Sequence, residues 1–194
     1  MTTGNHGAGD ISIKHILKSA LPGLAALILA LALNSLVLAP RSAEAAAKVN
    51  KYAIAVIIGN KAYRDKTPQV DFAYNDAEAM KRYVLEVLGF REGNIIDLRD
   101  ATKAELEATF GNNVSHEVRL FDWVRPGKSD VFVFYSGHGV PGLKDKRPYL
   151  LPVDGNANQA EITGFSVDML YQNLAQVPAR SMTVLLDACF SGET

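Results

Sequence analysis

Two side chains that can act together in nucleophilic chemistry each follow an apolar stretch of the chain. His138 lies between two glycines just after residues 131–135 (VFVFY), and Cys189 lies just after residues 183–187 (TVLLD). A cysteine attacks as the thiolate, and an imidazole within reach can take its proton. If the two stretches are neighbouring strands, about 5 Å apart, the imidazole and the thiol can face each other. The adjacent glycines would permit a sharp turn and a backbone N–H directed at an oxyanion.

Each residue alone also has an ordinary explanation. A lone cysteine after an apolar strand is more often a small buried hydrophobe, and a histidine between glycines is often a turn residue. Cys189 is the only cysteine of the 194 residues, which excludes an intramolecular disulfide and a site built from several cysteines. The pair is informative because its members follow two successive strands.

The elements that must position this pair alternate along the chain. Apolar runs typical of buried strands are 52–58, 95–98, 131–135 and 183–187, and helical patterns separate them. This rhythm predicts an α/β fold, an open and mostly parallel sheet with helices on both faces. Ligands of such sheets bind beyond the carboxyl ends of the strands, where His138 and Cys189 stand. The last strand would be left as a bare apolar edge.

Three helices are predicted between the strands. The first has an apolar face from Ala73 to Leu88 that includes Val87. Thr102 and Glu105 form a capping box that opens the second, and Ser166 caps the third. The apolar face of the second helix continues to its break at 125–127, through Leu106, Phe110, Val114, Phe121 and Val124. This pattern places His116 mid-helix in solvent and Trp123 in the core.

The chain divides into a targeting segment, residues 1–47, and a globular domain, residues 48–194. Lys14 and Lys18 precede an uncharged apolar stretch that ends near an Ala-x-Ala site at residues 43–45. This is typical of a secretory signal peptide, and the stretch is also long enough for a retained membrane anchor. Both alternatives place the domain outside the cytoplasm, either exported to the periplasm or extracellular space or anchored in the inner membrane.

The charge balance excludes one class of partner. The chain has 20 Lys and Arg against 21 Asp and Glu, a formal net charge of −1. Proteins that bind nucleic acid need a basic surface to neutralise phosphates. We therefore expect no nucleic-acid partner.

The two blocks around the reactive residues resemble those of a known family. Residues 135–139 (YSGHG) and 187–192 (DACFSG) are similar to the His and Cys blocks of caspase-like cysteine peptidases of the metacaspase type. His138 and Cys189 are 51 positions apart, close to the roughly 50 expected for caspases. Residues 55–60 (AVIIGN), 75–77 and 88–90 extend the likeness, which covers about residues 50–194. The resemblance implies a caspase-like, three-layer fold with the small-subunit half missing.

The resemblance also implies roles for particular residues. His138 would be the general base and Cys189 the nucleophile of an endopeptidase, with the backbone N–H groups of Gly139 and Cys189 forming the oxyanion hole. Animal caspases have Gln two positions before the nucleophile, where this chain has Asp187. Asp187, Asp76 and Ser136 match members of the acidic pocket with which metacaspases select Arg or Lys. Two carboxylates beside a nucleophile would orient a cationic side chain in any fold.

The resemblance to metacaspases also implies which cofactors and partners to expect. The chemistry requires no cofactor and no metal, although calcium is left open as an activator because some metacaspases need it. Asp145, Asp154 and Asp168 are candidate calcium ligands whose spacing matches no compact loop. The expected partner is a protein or peptide substrate, and a homo-oligomer or a separate small-subunit partner could complete the fold. The alternative is a non-catalytic binding module that needs a partner to complete its sheet.

Overall fold

The computed structural model describes residues 49–64 and 66–190. The targeting segment predicted for residues 1–47 lies outside the described residues, and so does most of the segment after Cys189. Within the described ranges, no helix has both the length and the apolar character needed to cross a membrane.

The central sheet consists of four parallel strands. In the order of the sheet they are β2 (Ile95–Arg99), β1 (Ile54–Gly59), β3 (Asp130–Ser136) and β7 (Ser181–Asp187). All six residues of β1 are buried, because it lies between two other strands and under helices on both faces. The parallel sheet predicted from the sequence is thus present, with the four strands that the apolar runs indicated.

In the described part of the chain, five helices accompany the sheet. They are α1 (Ala73–Glu86), α2 (Lys103–Phe110), α3 (Arg119–Trp123), α4 (Ala160–Thr163) and α5 (Val167–Leu174). Single 3₁₀ turns at Glu92–Asn94 and Ala157–Gln159 precede β2 and α4. The capping box of Thr102 and Glu105 opens α2, and the Ser166 hydroxyl accepts a hydrogen bond from the Met169 N–H at the start of α5. Both predicted helix starts are confirmed.

The helices pack on the two faces of the sheet, which gives three layers. Ala77 and Val84 of α1 pack with Ile57, Phe132 and Phe134 on one face. On the other face α2, α3 and α5 bury a second cluster that includes Leu106, Leu120, Leu170, Val133 and Tyr135. Strand β7 is covered on this second face only, so that its residues alternate between half-buried and exposed. Among the described strands it pairs with β3 alone, as expected for an edge.

The prediction of one long helix from residue 102 to residue 124 is wrong, because the structure has two short helices there. Gly111 ends α2 with φ of +86°, and a Cβ there would lie 2.3 Å from the Ser115 carbonyl oxygen. The chain therefore turns at this glycine and resumes a helix only at α3. Val114 is 86% exposed and His116 lies in the connection between the helices, where its ring packs against Phe121 with centroids 5.4 Å apart.

Two further placements differ from the sequence-based expectation. Val87, assigned to the apolar face of α1, is 59% exposed because the helix ends at Glu86. Trp123, assigned to the core, is 43% exposed at the end of α3, where Leu120 takes the buried position. A helix of five residues buries one side chain rather than a continuous stripe, which explains the second difference.

A small antiparallel sheet after β3 was not predicted. It is formed by β4 (Gly139–Pro141), β5 (Pro148–Leu150) and β6 (Phe165–Ser166), in the order β4-β5-β6. Strands of two or three residues are too short to show a periodic pattern. This sheet begins directly after His138, so it fixes the direction in which the chain leaves that residue.

Candidate active site

The two candidate reactive residues follow neighbouring strands. Strands β3 and β7 are parallel and in register, with Tyr135 opposite Leu186 and Ser136 opposite Asp187. His138 and Cys189 each lie two residues beyond the last of these pairs, and the Gly137 N–H donates to the Asp187 carbonyl at 3.3 Å. The fold thus brings both residues to the carboxyl end of the sheet, where the sequence placed them.

The two loops are in direct contact at Gly139. A Cβ at this position would lie 2.5 Å from Cε1 of Phe190 and 3.0 Å from the Cys189 carbonyl oxygen. No side chain fits there unless the cysteine loop moves. Glycine is therefore required at this position by close approach of the two chains.

The imidazole of His138 is oriented by a backbone carbonyl. Its Nε2 lies 2.8 Å from the carbonyl oxygen of Pro68. A carbonyl only accepts hydrogen bonds, so Nε2 must carry the hydrogen and, in the neutral ring, Nδ1 holds the free lone pair. The ring is thereby prepared to take a proton at Nδ1.

Two tyrosines hold the backbone of His138. Its N–H donates to the Tyr63 hydroxyl at 2.7 Å, and its carbonyl accepts from the Tyr135 hydroxyl and from the Leu151 N–H, both at 2.9 Å. The rings of Tyr63 and His138 also pack together, with centroids 4.9 Å apart. Burial raises the pKa of the Tyr63 phenol and raises that of Tyr135 strongly, so both stay neutral hydroxyls.

The loop that supplies Tyr63 and Pro68 is anchored at its base. The Asn60 side chain is fully buried; its oxygen accepts from the Ala101 N–H at 2.8 Å, and its amide donates to the carbonyls of Ala101 and Leu151. The Asp100 carboxylate accepts the N–H groups of Lys61 and Ala62, both at 2.9 Å. The end of β1 is thus tied to the end of β2.

A tyrosine on α1 completes this anchor. The Tyr74 hydroxyl donates to the Asp100 carboxylate, and this bond raises the pKa of Tyr74 to about 12. Burial of Asp100 opposes its ionisation, but its hydrogen bonds from Tyr74, Ala62 and Lys61 together lower the pKa of the carboxyl. Asp100 therefore stays ionised at neutral pH and holds the loop as a charged acceptor.

The Gly139 N–H is left out of the ladder between β4 and β5. The bond from the Leu151 N–H to the His138 carbonyl makes Gly139 and Leu150 a pair without mutual hydrogen bonds. The Gly139 N–H consequently points away from β5. The Cys189 side chain is free and exposed, on the loop that contacts Gly139.

Three polar residues meet on the face of the sheet that carries α1. The Ser136 hydroxyl donates to the carboxylate of Asp76, in the first turn of α1, at 3.3 Å. Asp187 is in register with Ser136 and is exposed, since no element of the described chain covers β7 on this face. The structure thus brings Asp76 and Ser136 together and sets Asp187 beside them.

A cavity of about 260 Å³ adjoins His138 on the side of the Pro68 loop. Its wall includes His138, Pro68, Val140, Leu151 and Ala157. This partly apolar pocket could accept a side chain close to the imidazole.

A match to a protein-family model identifies the family of this chain. A model described as the caspase domain matches residues 52–194, which include both strands and the loops that contain His138 and Cys189. The chain belongs to the caspase domain family. The resemblance of the His and Cys blocks to caspase-like peptidases, and the caspase-like α/β fold that it implied, are confirmed.

Three proteins similar to this caspase domain are metacaspases. Metacaspase-9 of Arabidopsis thaliana is 29% identical over 150 residues, which are 73% of this chain and 44% of that protein. Metacaspase-1 of Eremothecium gossypii is 28% identical over 148 residues, 71% of this chain and 31% of that protein. Metacaspase-6 of Arabidopsis thaliana is 32% identical over 128 residues, 61% of this chain and 32% of that protein. The chain spans less than half the length of these relatives.

The three aspartates considered as calcium ligands are separated and engaged elsewhere. Asp145 accepts from the Tyr149 hydroxyl at 2.6 Å, Asp154 accepts from the Lys103 N–H at 2.9 Å, and Asp168 lies 3.7 Å from Arg147. Within the described part of the caspase domain, no three acidic, His or Cys side chains are placed to hold a metal. These residues do not fit a calcium site.

Sequence reasoning missed the residues that position His138. Tyr63, Pro68, Asn60 and Asp100 lie in loops, and their roles depend on contacts between segments 38 to 91 residues apart. The available signal was local: Gly59-Asn60 marks the end of β1 at the same edge of the sheet. Residues that follow neighbouring strand ends are candidates for a shared site.

Proposed function

We propose that this chain is the catalytic part of a cysteine endopeptidase whose dyad is His138 and Cys189. The observation that carries the proposal is the hydrogen bond from His138 Nε2 to the Pro68 carbonyl, because it leaves Nδ1 as the base. The contact of Gly139 with the Cys189 loop supports it, since it brings the two loops together.

The reaction is acyl transfer. His138 Nδ1 takes the proton of the Cys189 thiol, and the thiolate forms a bond to the carbonyl carbon of the substrate. The N–H groups of Gly139 and Cys189 donate to the resulting oxyanion. The imidazolium then protonates the leaving amine as the C–N bond breaks. Water hydrolyses the thioester with His138 again as base, which restores the thiol.

We further propose that the enzyme cleaves after Arg or Lys. A cationic side chain that reaches the face of the sheet near Cys189 would meet the carboxylates of Asp187 and Asp76. The Ser136 hydroxyl, already bonded to Asp76, would orient that carboxylate. The names of the three relatives support a metacaspase-type activity, and protein or peptide substrates follow from it.

The first test measures the reactivity of Cys189, which is unambiguous because the chain has one cysteine. Alkylation by iodoacetamide at pH 7 should be at least about tenfold faster than for a free thiol with a pKa near 8.5. His138→Ala should remove this enhancement, and His116→Ala is the matched control. An alkylation rate that does not depend on His138 would refute the dyad.

The second test uses fluorogenic peptides that end in Arg, Lys or Asp, with and without calcium. Cleavage after Arg or Lys that disappears in Cys189→Ala supports the peptidase. Asp187→Asn should lower kcat/KM for the Arg peptide about tenfold, the scale of one lost charge-assisted hydrogen bond, whereas Asp122→Asn on α3 should leave it unchanged. No cleavage by a cooperatively folded preparation would exclude activity of this chain alone.

The exposed edge strand favours a second candidate function. One edge of β7 is unpaired within the described residues, and the exposed side chains of Leu185 and Thr183 border it. Such an edge can bind a partner by strand addition, so the alternative is a regulatory module completed by a separate small subunit or a second copy. A change in mass on mixing with such a partner, without peptide cleavage, would support it.

We also propose that the domain acts outside the cytoplasm, exported or anchored by residues 1–47. The basic residues, apolar stretch and Ala-x-Ala site support this proposal. Cell fractionation, with the mass of the mature chain, distinguishes a cleaved signal from a retained anchor.

A further inference from the structure

A second cavity lies at the opposite end of the sheet from His138 and Cys189. Its volume is about 450 Å³, and it adjoins the amino ends of β1 and β2. Lys51, Tyr52, Arg91, Asn94, Trp123 and Arg125 are among the residues that line it. Cavities of about 300–1,000 Å³ are typical of sites for small ligands. The proposed peptidase mechanism uses none of these residues.

Three of the lining residues are cations without a visible counter-ion. Among the described residues, the ion pairs involve Lys81, Arg99, Lys103, Arg147 and Arg180, but not Lys51, Arg91 or Arg125. The chain as a whole has a net charge of −1, so this local excess does not follow from its composition. Positive charges gathered in a concave site attract anions.

The carboxylate of Asp130, the first residue of β3, is already neutralised. Asp130 pairs with Arg180 and accepts hydrogen bonds from Ser181 at 2.6 Å and Asn50 at 2.7 Å. The Asn94 amide is also committed, since it donates to the carbonyls of Lys51 and Ala53. The ammonium group of Lys51 and the guanidinium groups of Arg91 and Arg125 therefore remain as cationic donors for a ligand.

Tyr52 holds two of these cations at the cavity. Lys51 Nζ lies 4.7 Å and Arg125 Cζ 5.0 Å from the centroid of its ring. Cation–π contacts of this kind restrict long side chains before a ligand arrives, so less conformational entropy is lost on binding. Lys51, and to a smaller extent Arg125, also lower the pKa of the Tyr52 phenol, because a nearby positive charge favours the phenolate. The positive charges thus act on the Tyr52 side chain in the cavity wall.

Trp123 adds a flat apolar surface to the same wall. It is 43% exposed, although tryptophan is usually largely buried. An indole ring beside cations is suited to a ligand with both a charged and a planar or apolar part. Arginine pairs in particular with phosphate oxygens, which accept two parallel hydrogen bonds from one guanidinium group.

We propose that this cavity binds a phosphate-bearing anion. Lys51, Arg91 and Arg125 would contact the phosphate oxygens, and Trp123 would lie against the remainder of the ligand. Soluble phosphate esters and the headgroups of anionic lipids share this chemistry. The site is separate from the proposed peptidase dyad and does not depend on it.

The test uses tryptophan fluorescence of the 194-residue chain, since Trp123 is its only tryptophan. The probes are inorganic triphosphate, ATP, and vesicles of phosphatidylglycerol or phosphatidylcholine, all at constant ionic strength. We expect a saturable change with the phosphate probes, confirmed by titration calorimetry. Saturation by triphosphate or ATP identifies a soluble ligand. A response to phosphatidylglycerol vesicles, with none to triphosphate, ATP or phosphatidylcholine vesicles, identifies a lipid headgroup.

Matched variants show whether the cavity is responsible. Arg125→Gln and Arg91→Gln should each weaken binding about tenfold or more, because each removes a charge-assisted contact. Arg82→Gln, an exposed arginine of α1 outside the cavity, should leave affinity unchanged. Arg91 and Arg125 are also exposed, and a cooperative thermal transition verifies folding. No saturable response beyond that of sodium chloride, or an equal loss in Arg82→Gln, would overturn the proposal.

Discussion

Replacing Tyr63 by Phe tests whether the backbone of His138 must be held for Cys189 to be reactive. The change removes the hydroxyl that accepts the His138 N–H at 2.7 Å and keeps the ring that packs on the imidazole. Tyr63 is only 8% exposed, so water cannot readily replace the lost acceptor. Leaving the N–H unsatisfied should cost about 1–2 kcal/mol of unfolding free energy. In a domain of this size that lowers the Tm by about 2–8 °C.

The variant should also slow alkylation of Cys189, because the loop that aligns the imidazole is loosened. Small misplacements of a catalytic group cost up to about 10²-fold in rate, and we expect a loss of about tenfold with the ring contact retained. Tyr83→Phe is the control, since Tyr83 is 44% exposed on α1. A Tyr63→Phe protein with a lower Tm but unchanged alkylation would refute the positioning role. In that case the hydroxyl would contribute to stability alone.

Three further predictions concern the strands and loops around the site. In the folded chain the pKa of the Asp130 carboxyl is lowered, chiefly by its hydrogen bond from Arg180. As the pH falls, Asp130 is therefore protonated in the unfolded chain before it is protonated in the folded chain, and stability is lost below about pH 4. Amide exchange in β7 should rise before that in β1. Gly139→Ala should cost about 1–3 kcal/mol and change Cys189 alkylation, whereas Gly93→Ala, whose Cβ would meet open space, should leave the Tm nearly unchanged. Asp100→Asn should return the pKa of Tyr74 from about 12 toward 10.0, measurable by absorbance titration of the phenol, and an unshifted titration would contradict the hydrogen bond.

The sheet could be predicted because its strands are continuous apolar runs. Strand β1 is buried along its whole length, so its sequence carries the signal without interruption. The placement of the candidate pair followed from the same signal, since His138 and Cys189 come just after two such runs. Parallel strands end at one edge of the sheet, and register then places the two loops together.

The prediction failed where a single residue overrides a periodic pattern. Gly111 stops α2 by its positive φ, although apolar residues continue at helical spacing beyond it. Trp123 then occupies the end of a helix too short to bury it. Hydrophobic periodicity registers neither the conformation of one glycine nor the length of the helix that follows. The exposed indole is therefore a feature of the surface cavity, where the sequence indicated core.

The position of His138 depends on segments that carry no periodic signal at all. Its ring is held by Pro68, its N–H by Tyr63, and the loop between β1 and α1 that contains both is tied to β2 through Asp100 and Asn60. The residues that orient the imidazole thus lie on the β1 side of β3, whereas Cys189 follows β7, which lies on the other side of β3. The two members of the proposed dyad thus depend on different parts of the sheet. A substitution at Asp100 should consequently disturb the orientation of His138 without displacing Cys189, which would not be possible if one loop held both residues.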